Sequence, residues 1–201
     1  GVNQYIFTYP NTSTTTEVDP LGTSRTYNYA EILSVMRPTG RTQPAANGSG
    51  AVSSSIAYDG NGNVSNSTDF NGIVTTYSYD LTRNLETGRV EGSGTAQSRT
   101  ITTAWHATYR LPLQIAEPKL LTTYSYDASG NLLRKTVQAT SDTTGAQGLS
   151  PTLIGTARIW SYTYNPVGQV LTATGPRTDV ADKTTYTYDT SGNLSTVTNA
   201  I

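Results

Sequence analysis

The sequence predicts an all-β protein built from repeated antiparallel β-hairpins, and three observations predict it. First, TTYSYDASGNL at 122–132 returns nearly letter for letter as TTYTYDTSGNL at 184–194, and again as TTYSYDLTRNL at 75–85. Copies this close within one chain mark a structural repeat. Second, paired rings stand two residues apart at Tyr77/Tyr79, Tyr124/Tyr126, Tyr162/Tyr164 and Tyr186/Tyr188. That spacing puts both side chains on one face of a strand, and the Thr and Ser between them suit a pleated sheet. Third, the ring strand runs into Asp-x-x-Gly-Asn, as at Asp127, Gly130 and Asn131 or at Asp189, Gly192 and Asn193. The carboxylate accepts local backbone N–H bonds, and Gly and Asn tolerate positive φ, so the chain turns back. No stretch carries helical periodicity.

Taken in order, residues 1–29 hold a worn copy, with Phe7 and Tyr9 in the ring positions and Pro10 for the Asp. Asp19-Pro20-Leu21-Gly22 then precedes Tyr27 and Tyr29, just as Asp69-Phe70-Asn71-Gly72 precedes Tyr77, and Glu117-Pro118 precedes Tyr124. Each unit therefore has two turns, one after the ring strand and one before the next. Asp59, Asp69 and Asp80 place two short strands in about 21 residues, an evenly punctuated meander. Residues 34–55, with Pro38, Gly40, Pro44, Gly48 and Gly50, read as a long surface loop. The register resumes with Tyr58, Asp59 and Gly62. In the copy that follows, Asp80 is kept but Arg83 takes the glycine position, so that turn differs in detail. Residues 86–98 read as a looser hairpin end. Aligned on Leu111, Trp105 takes the second ring position and His106 the Asp position. A second polar insertion is expected over about 138–158. The next copy has Asn165 for Asp, Gly168 in place, and Gln169 for Asn.

Composition narrows the function classes. The chain of 201 residues has net charge −1 and 13% charged residues, with no basic footprint for nucleic acid or an anionic membrane surface. Without cysteine, disulfides and thiolate metal sites are excluded. No apolar run approaches the ~18 residues of a membrane-spanning helix, and residues 1–10 lack the charged and apolar regions of a signal peptide. The first residues start in mid-pattern, which suggests a piece of a longer chain. Hydrophobic content is only 35%, yet 14 residues are Tyr, and periodic aromatics argue for ordered β-structure rather than disorder.

Chemistry is sparse. The ring pairs form either cross-strand ladders that stabilise a sheet or a platform for sugars. Asp59, Asp127 and Asp189 each offer one carboxylate, against the several that calcium requires, so they read as turn caps. His106 is the only histidine, and no Gly-x-Ser-x-Gly elbow surrounds a serine. No catalytic residue, metal ligand or cofactor site is expected, and the chain reads as non-enzymatic. The repeat residues are assigned structural roles: Tyr58, Asp59, Gly62, Tyr77, Tyr79, Asp80, Tyr124, Tyr126, Asp127, Gly130, Asn131, Tyr162, Tyr164, Gly168, Tyr186, Tyr188, Asp189, Gly192 and Asn193.

Tyr-x-Tyr-Asp-x-x-Gly-Asn-Leu with an intervening Asp-Pro-x-Gly resembles the YD repeats of the RHS (rearrangement hot spot) family. The resemblance covers the whole chain, 1–201, apart from the two insertions. It implies a β-ribbon wound into a spiralling shell, which in bacterial toxin complexes and polymorphic toxins encloses a C-terminal toxin. In teneurins a similar shell serves adhesion outside the cell. The implied partners are other RHS repeats and an enclosed C-terminal toxin, with a secreted or cell-surface location and delivery by a bacterial secretion system or toxin complex. The alternative is an adhesion module that binds a glycan or surface protein through exposed Tyr and the long loops. The family's self-cleaving core segment and the toxin domain have no match in this sequence. A stack of hairpins also leaves strand edges that invite pairing with another chain, so the chain is expected to self-associate or to be stabilised by partners.

Overall fold

The computed structural model describes residues 3–46 and 48–200; residues 1 and 201, the ends of the expected repeat segment, and residue 47 of the expected 34–55 loop lie outside them. Among the described residues all regular structure is strand. The chain divides into two compact units, Gly1–Ser98 and Arg99–Ile201. The first holds β1 (Ile6–Asn11), β2 (Thr14–Val18), β3 (Ser24–Ile32), β4 (Val35–Pro44), β5 (Ala51–Tyr58), β6 (Val64–Thr68), β7 (Val74–Asp80) and β8 (Leu85–Glu91). The second holds β9 (Arg99–Trp105), β10 (Pro112–Glu117), β11 (Leu120–Tyr126), β12 (Leu132–Thr140), β13 (Leu153–Tyr164), β14 (Val170–Thr174), β15 (Lys183–Tyr188) and β16 (Leu194–Asn199).

Within each unit every strand pairs antiparallel with its neighbours in sequence. Odd-numbered strands carry the ring positions, and even-numbered strands return. Each pairing of a ring strand with its return strand contains a β-bulge, as between Ser125 and Tyr126 or between Thr163 and Tyr164. Of the pairings that join one hairpin to the next, β12–β13 alone shifts register. A bulge bends the strand and increases its twist, so every hairpin turns the ribbon by the same device. The sheet is one layer thick. Only Leu85, Ile101, Ala116 and Leu121 are buried hydrophobics among the described residues, so cohesion comes from ladders and cross-strand pairs rather than from a thick core. Every residue of β1 and of β16 is exposed.

Three sequence expectations need correction. Residues 34–55 are not a long loop. They hold β4 and the start of β5, joined only by 45–50. The β3–β4 hairpin closes on Leu33 (φ 50°) and Ser34 (φ 61°), a two-residue turn without the usual Asn-Gly chemistry. Left-handed backbone costs roughly 1–2 kcal/mol per such residue, which the long β3–β4 pairing offsets. The prolines and glycine read as loop markers do strand work: Pro38 sits opposite Tyr29 at the bulge, and Gly40 lets β5 approach so closely that a Cβ would strike the Ser54 carbonyl oxygen. The 138–158 insertion shrinks to 141–152, because β12 extends through Thr140 and β13 begins at Leu153. The looser hairpin end expected at 86–98 contains a regular strand, β8, followed by a turn from Gly92.

Candidate functional site

The recurring construction of the chain is the turn beyond each ring strand. In the copy at 122–132, Asp127 Oδ1 accepts from the backbone N–H of Ser129 (2.8 Å) and Asn131 (2.9 Å), and Oδ2 accepts from Asn131 Nδ2 (2.9 Å). The backbone closes with Asp127 N–H to Asn131 O (2.9 Å) and Gly130 N–H to Asp127 O (3.1 Å). Gly130 adopts φ 86°, a conformation that excludes most other residues. Asp59 with Asn63 and Asp189 with Asn193 repeat the cage, around Gly62 and Gly192. The turns before the ring strands use the same chemistry. Asp19 caps Leu21 and Thr23, and Asp69 caps Asn71 and Ile73. The side-chain and backbone bonds from Asn131 hold the Asp127 carboxyl below its ordinary range. The backbone bond from Asn193 does so for Asp189.

The departures from the motif show what the cage needs. Asn165 keeps the two backbone acceptances, from Val167 and Gln169, but donates its own Nδ2 to Gln169 Oε1 (2.7 Å). Donor and acceptor are exchanged together when Asp-Asn becomes Asn-Gln, and Gly168 keeps φ 85°. Asp80 receives Thr82 and Arg83 N–H, and the left-handed position passes from 83 to Asn84 (φ 48°), so Arg83 escapes the strain. His106 accepts through Nδ1 from the backbone N–H of Thr108 and Tyr109, both at 3.1 Å, while its own backbone N–H donates to Leu111 O at 2.8 Å. A ring nitrogen here does the work of the carboxylate oxygen, with the imidazole stacked on Tyr109 at 4.9 Å. The Glu117-Pro118 turn is tighter than the Asp-Pro-x-Gly turns, with Glu117 opposite Leu120 and Lys119 at φ 65°.

The tyrosines contribute a link that sequence reasoning missed. The second ring of a unit donates its hydroxyl to a backbone carbonyl on the preceding strand. Tyr58 reaches Pro38 O (2.7 Å), Tyr126 Pro112 O (2.9 Å), Tyr164 Leu132 O (2.8 Å) and Tyr188 Val170 O (2.9 Å). Each acceptor lies at the bulge of the preceding hairpin. A sequence signal existed. The second ring position is Tyr at 9, 29, 58, 79, 126, 164 and 188 and Trp at 105, whereas the first is held by Phe7, Ile56 and Thr103 as well as by Tyr27, Tyr77, Tyr124, Tyr162 and Tyr186. The carbonyl bond recurs only from the second position; Tyr27, at a first position, donates instead to the Glu17 carboxylate (2.7 Å). The turns also reach each other: Asn61 Nδ2 donates to Leu81 O (2.8 Å), Tyr109 Oη to Ala128 O (2.6 Å), and Gln169 Nε2 to Gly192 O (2.7 Å).

The 141–152 insertion is built around Asp142. Its side chain sits in a 5% exposed residue and accepts from the N–H of Thr144, Gly145 and Gln147. Burial opposes the charge, but those backbone bonds outweigh it and keep the carboxyl below its ordinary range. Lys119 N–H donates to Asp142 O (2.6 Å), and Thr100 N–H to Thr144 O (2.7 Å), docking the loop on strand β9 and on the turn between β10 and β11. The arrangement provides positioned backbone donors already consumed by their own carboxylates. Among the described residues, no three His, Cys, Asp or Glu side chains come together as a metal site would require.

An antiparallel ribbon of bulged, tyrosine-linked hairpins is the class of protein this geometry defines. The RHS Repeat family model matches residues 58–96 and 164–200. The chain carries RHS repeats at both segments, each of which contains the Asp or Asn cage described above. No curated protein sequence matches the chain. Among solved structures it is similar in fold to TcdB2-TccC3-Cdc42, at 15% identity and a TM-score of 0.59 over 97% of this chain and 12% of that one. TcdB2-TccC3 without its hypervariable C-terminal region gives 16% identity and a TM-score of 0.58, again over 97% and 12%. The Photorhabdus luminescens Tc holotoxin pore gives 18% and 0.57 over 96% and 9%. The chain thus spans about an eighth or less of the structures it matches.

Proposed function

We propose that this chain is a non-catalytic wall segment of an RHS-type β-shell that encloses or presents a C-terminal toxin or other effector polypeptide. The observation that carries the reading is the single-layer ribbon itself. Its side chains and turn donors are spent on holding one hairpin to the next, and its fold is that of the Tc-toxin structures just described. Function by exclusion needs only this: a wall of hydrogen-bonded strands whose backbone groups are satisfied internally, so that a protease or the cytosol has no path to what lies behind it. The repeat tyrosines and aspartates are structural on this reading. The partners are further RHS repeats, which pair along exposed strands such as β1 and β16, and the protein acts outside the producing cell after secretion or delivery by a toxin complex.

Limited proteolysis of the intact gene product, followed by mass spectrometry of its C-terminal part, tests the proposal. Survival of a C-terminal polypeptide until mild denaturant opens the repeats supports it. Digestion of that part at the rate of an unfolded control overturns it. Sedimentation of the 201-residue chain tests the strand-pairing partners, which predict concentration-dependent association; a compact monomer at high concentration contradicts them.

A further inference from the structure

On the ring face of the first unit, Arg25 and Arg89 are held by carboxylates, Arg25 by Glu17 and Asp19 and Arg89 by Glu86 and Glu91. Arg41, opposite Tyr27, lies over the rings of Tyr27 (6.0 Å) and Phe70 (4.8 Å), one cation to two rings. The second unit brings two cations to one ring. In the second unit Tyr124, Lys135 and Trp160 form one cross-strand row, and Arg158 lies opposite Val137 in the adjoining row. Lys135 Nζ stands 5.4 Å from the Trp160 ring centroid and the Arg158 guanidinium 5.3 Å from it. Neither cation has an ion-paired carboxylate among the described residues. Glu117 acts at Tyr124, a strand away, where it adds to the effect of burial in raising the phenol.

Diagonal neighbours across two antiparallel strands lie roughly 7–8 Å apart, inside the ~8–10 Å over which salt leaves charges coupled. Two cations therefore converge on one ring and repel each other. Cation–π attraction to a shared ring returns only ~0.5–1 kcal/mol each at an exposed site. An anion spanning both would complete the arrangement. Since the cations already occupy positions over the indole, the ligand is matched by charge rather than by stacking on the ring. Alternate side chains of an extended polypeptide are separated by roughly 6.6–6.8 Å, close to the roughly 7–8 Å between the two diagonal positions.

We propose that Lys135 and Arg158, aligned on Trp160, bind an extended acidic polypeptide segment whose carboxylates occupy alternate residues. The inference rests on the reading that the wall faces a passenger polypeptide, and it names the chemistry by which the two would touch.

The test titrates the 201-residue chain with a blocked alternating Thr-Glu octapeptide, read by calorimetry and tryptophan fluorescence. Saturable binding that weakens with salt is expected, with about a tenfold loss in the Lys135→Gln/Arg158→Gln double variant. An alternating Thr-Gln peptide should not bind. Arg134→Gln, on the opposite face, should leave binding unchanged. Should the double variant fail to fold, Arg158→Glu at an exposed position serves instead, and should lose the Thr-Glu peptide and gain an alternating Thr-Lys one. Equal binding by the wild type and a folded variant overturns the site. Equal binding of a peptide with its Glu residues in one block overturns the alternation. Binding of polygalacturonate without binding of the peptide overturns the choice of occupant. Failure here with the passenger still protected in proteolysis removes this site and leaves the wall; loss of protection with peptide binding intact removes the wall and leaves the site.

Discussion

The Asp127 turn and the Asp142 loop use one chemistry to different ends. Both surround a carboxylate with backbone N–H donors, and both depend on a left-handed glycine, Gly130 at φ 86° and Gly145 at φ 78°. The Asp127 turn is a repeated, largely self-contained cap. The Asp142 loop occurs once among the described residues, with its aspartate buried and its backbone bonded to strand β9 and to the turn between β10 and β11. The difference teaches where a repeat protein is fragile. Similar caps share the load, whereas the insertion concentrates several backbone donors on one buried residue.

Replacing the two glycines tests this most sharply. Gly145→Ala would combine a strained φ with a Cβ driven into the Thr100 carbonyl oxygen, and should cost roughly 3–4 kcal/mol in urea unfolding. In Gly130→Ala the new Cβ meets only the Leu111 and Tyr109 side chains at 3.5–3.8 Å, so the left-handed strain alone, roughly 1–2 kcal/mol, should appear. Equal losses at the two positions would erase the distinction. Asp142→Ala, which strands the N–H groups of Thr144, Gly145 and Gln147, that of Gly145 buried, should lower the thermal midpoint more than Asp127→Ala does.

A smaller effect separates the two ring positions. Tyr126→Phe removes the hydroxyl bond to Pro112 O and should cost ~0.5–1.5 kcal/mol. Tyr124→Phe, at the position where the repeat also accepts Phe and Ile, should stay within about 0.5 kcal/mol. The smallest effects are those of pH. The carboxyls of Asp127, Asp189 and Asp142 lie below the ordinary 3.8 when folded. Their contribution is complete above that value and is lost as pH falls through the folded values. Burial, and secondarily the neighbouring Tyr124, raises the Tyr126 phenol above 10.0. Its contribution is complete below pH 10 and is lost as pH rises through the higher folded value. Unfolding midpoints measured across pH should therefore fall at both ends, and Asp142→Asn and Asp127→Asn should each flatten the acid limb.

Much of this was legible in the letters. The spacing of Tyr124 and Tyr126 gave one face, Asp-x-x-Gly gave the turn, and the alignment of His106 with Asp gave its place in the chain. The bulges were not legible, because an extra residue in a return strand such as β12 leaves no compositional mark. Pro38 and Gly40 misled because the signals of a loop are also the signals of a strand that bends or packs backbone against backbone. The Lys135–Trp160–Arg158 cluster depends on the cross-strand register of β12 and β13, which spans an insertion of unknown path in the sequence.

The sequential pairing of the strands has a kinetic consequence. Most all-β proteins fold slowly because their strands pair across long stretches of chain. Here each strand finds its partner in the next few residues, apart from β12 and β13, which wait for the 141–152 loop. A hairpin forms in roughly 1–10 μs, while synthesis adds about 5–20 residues per second. Each unit can therefore be laid down hairpin by hairpin as it leaves the ribosome, in the order in which it is encoded.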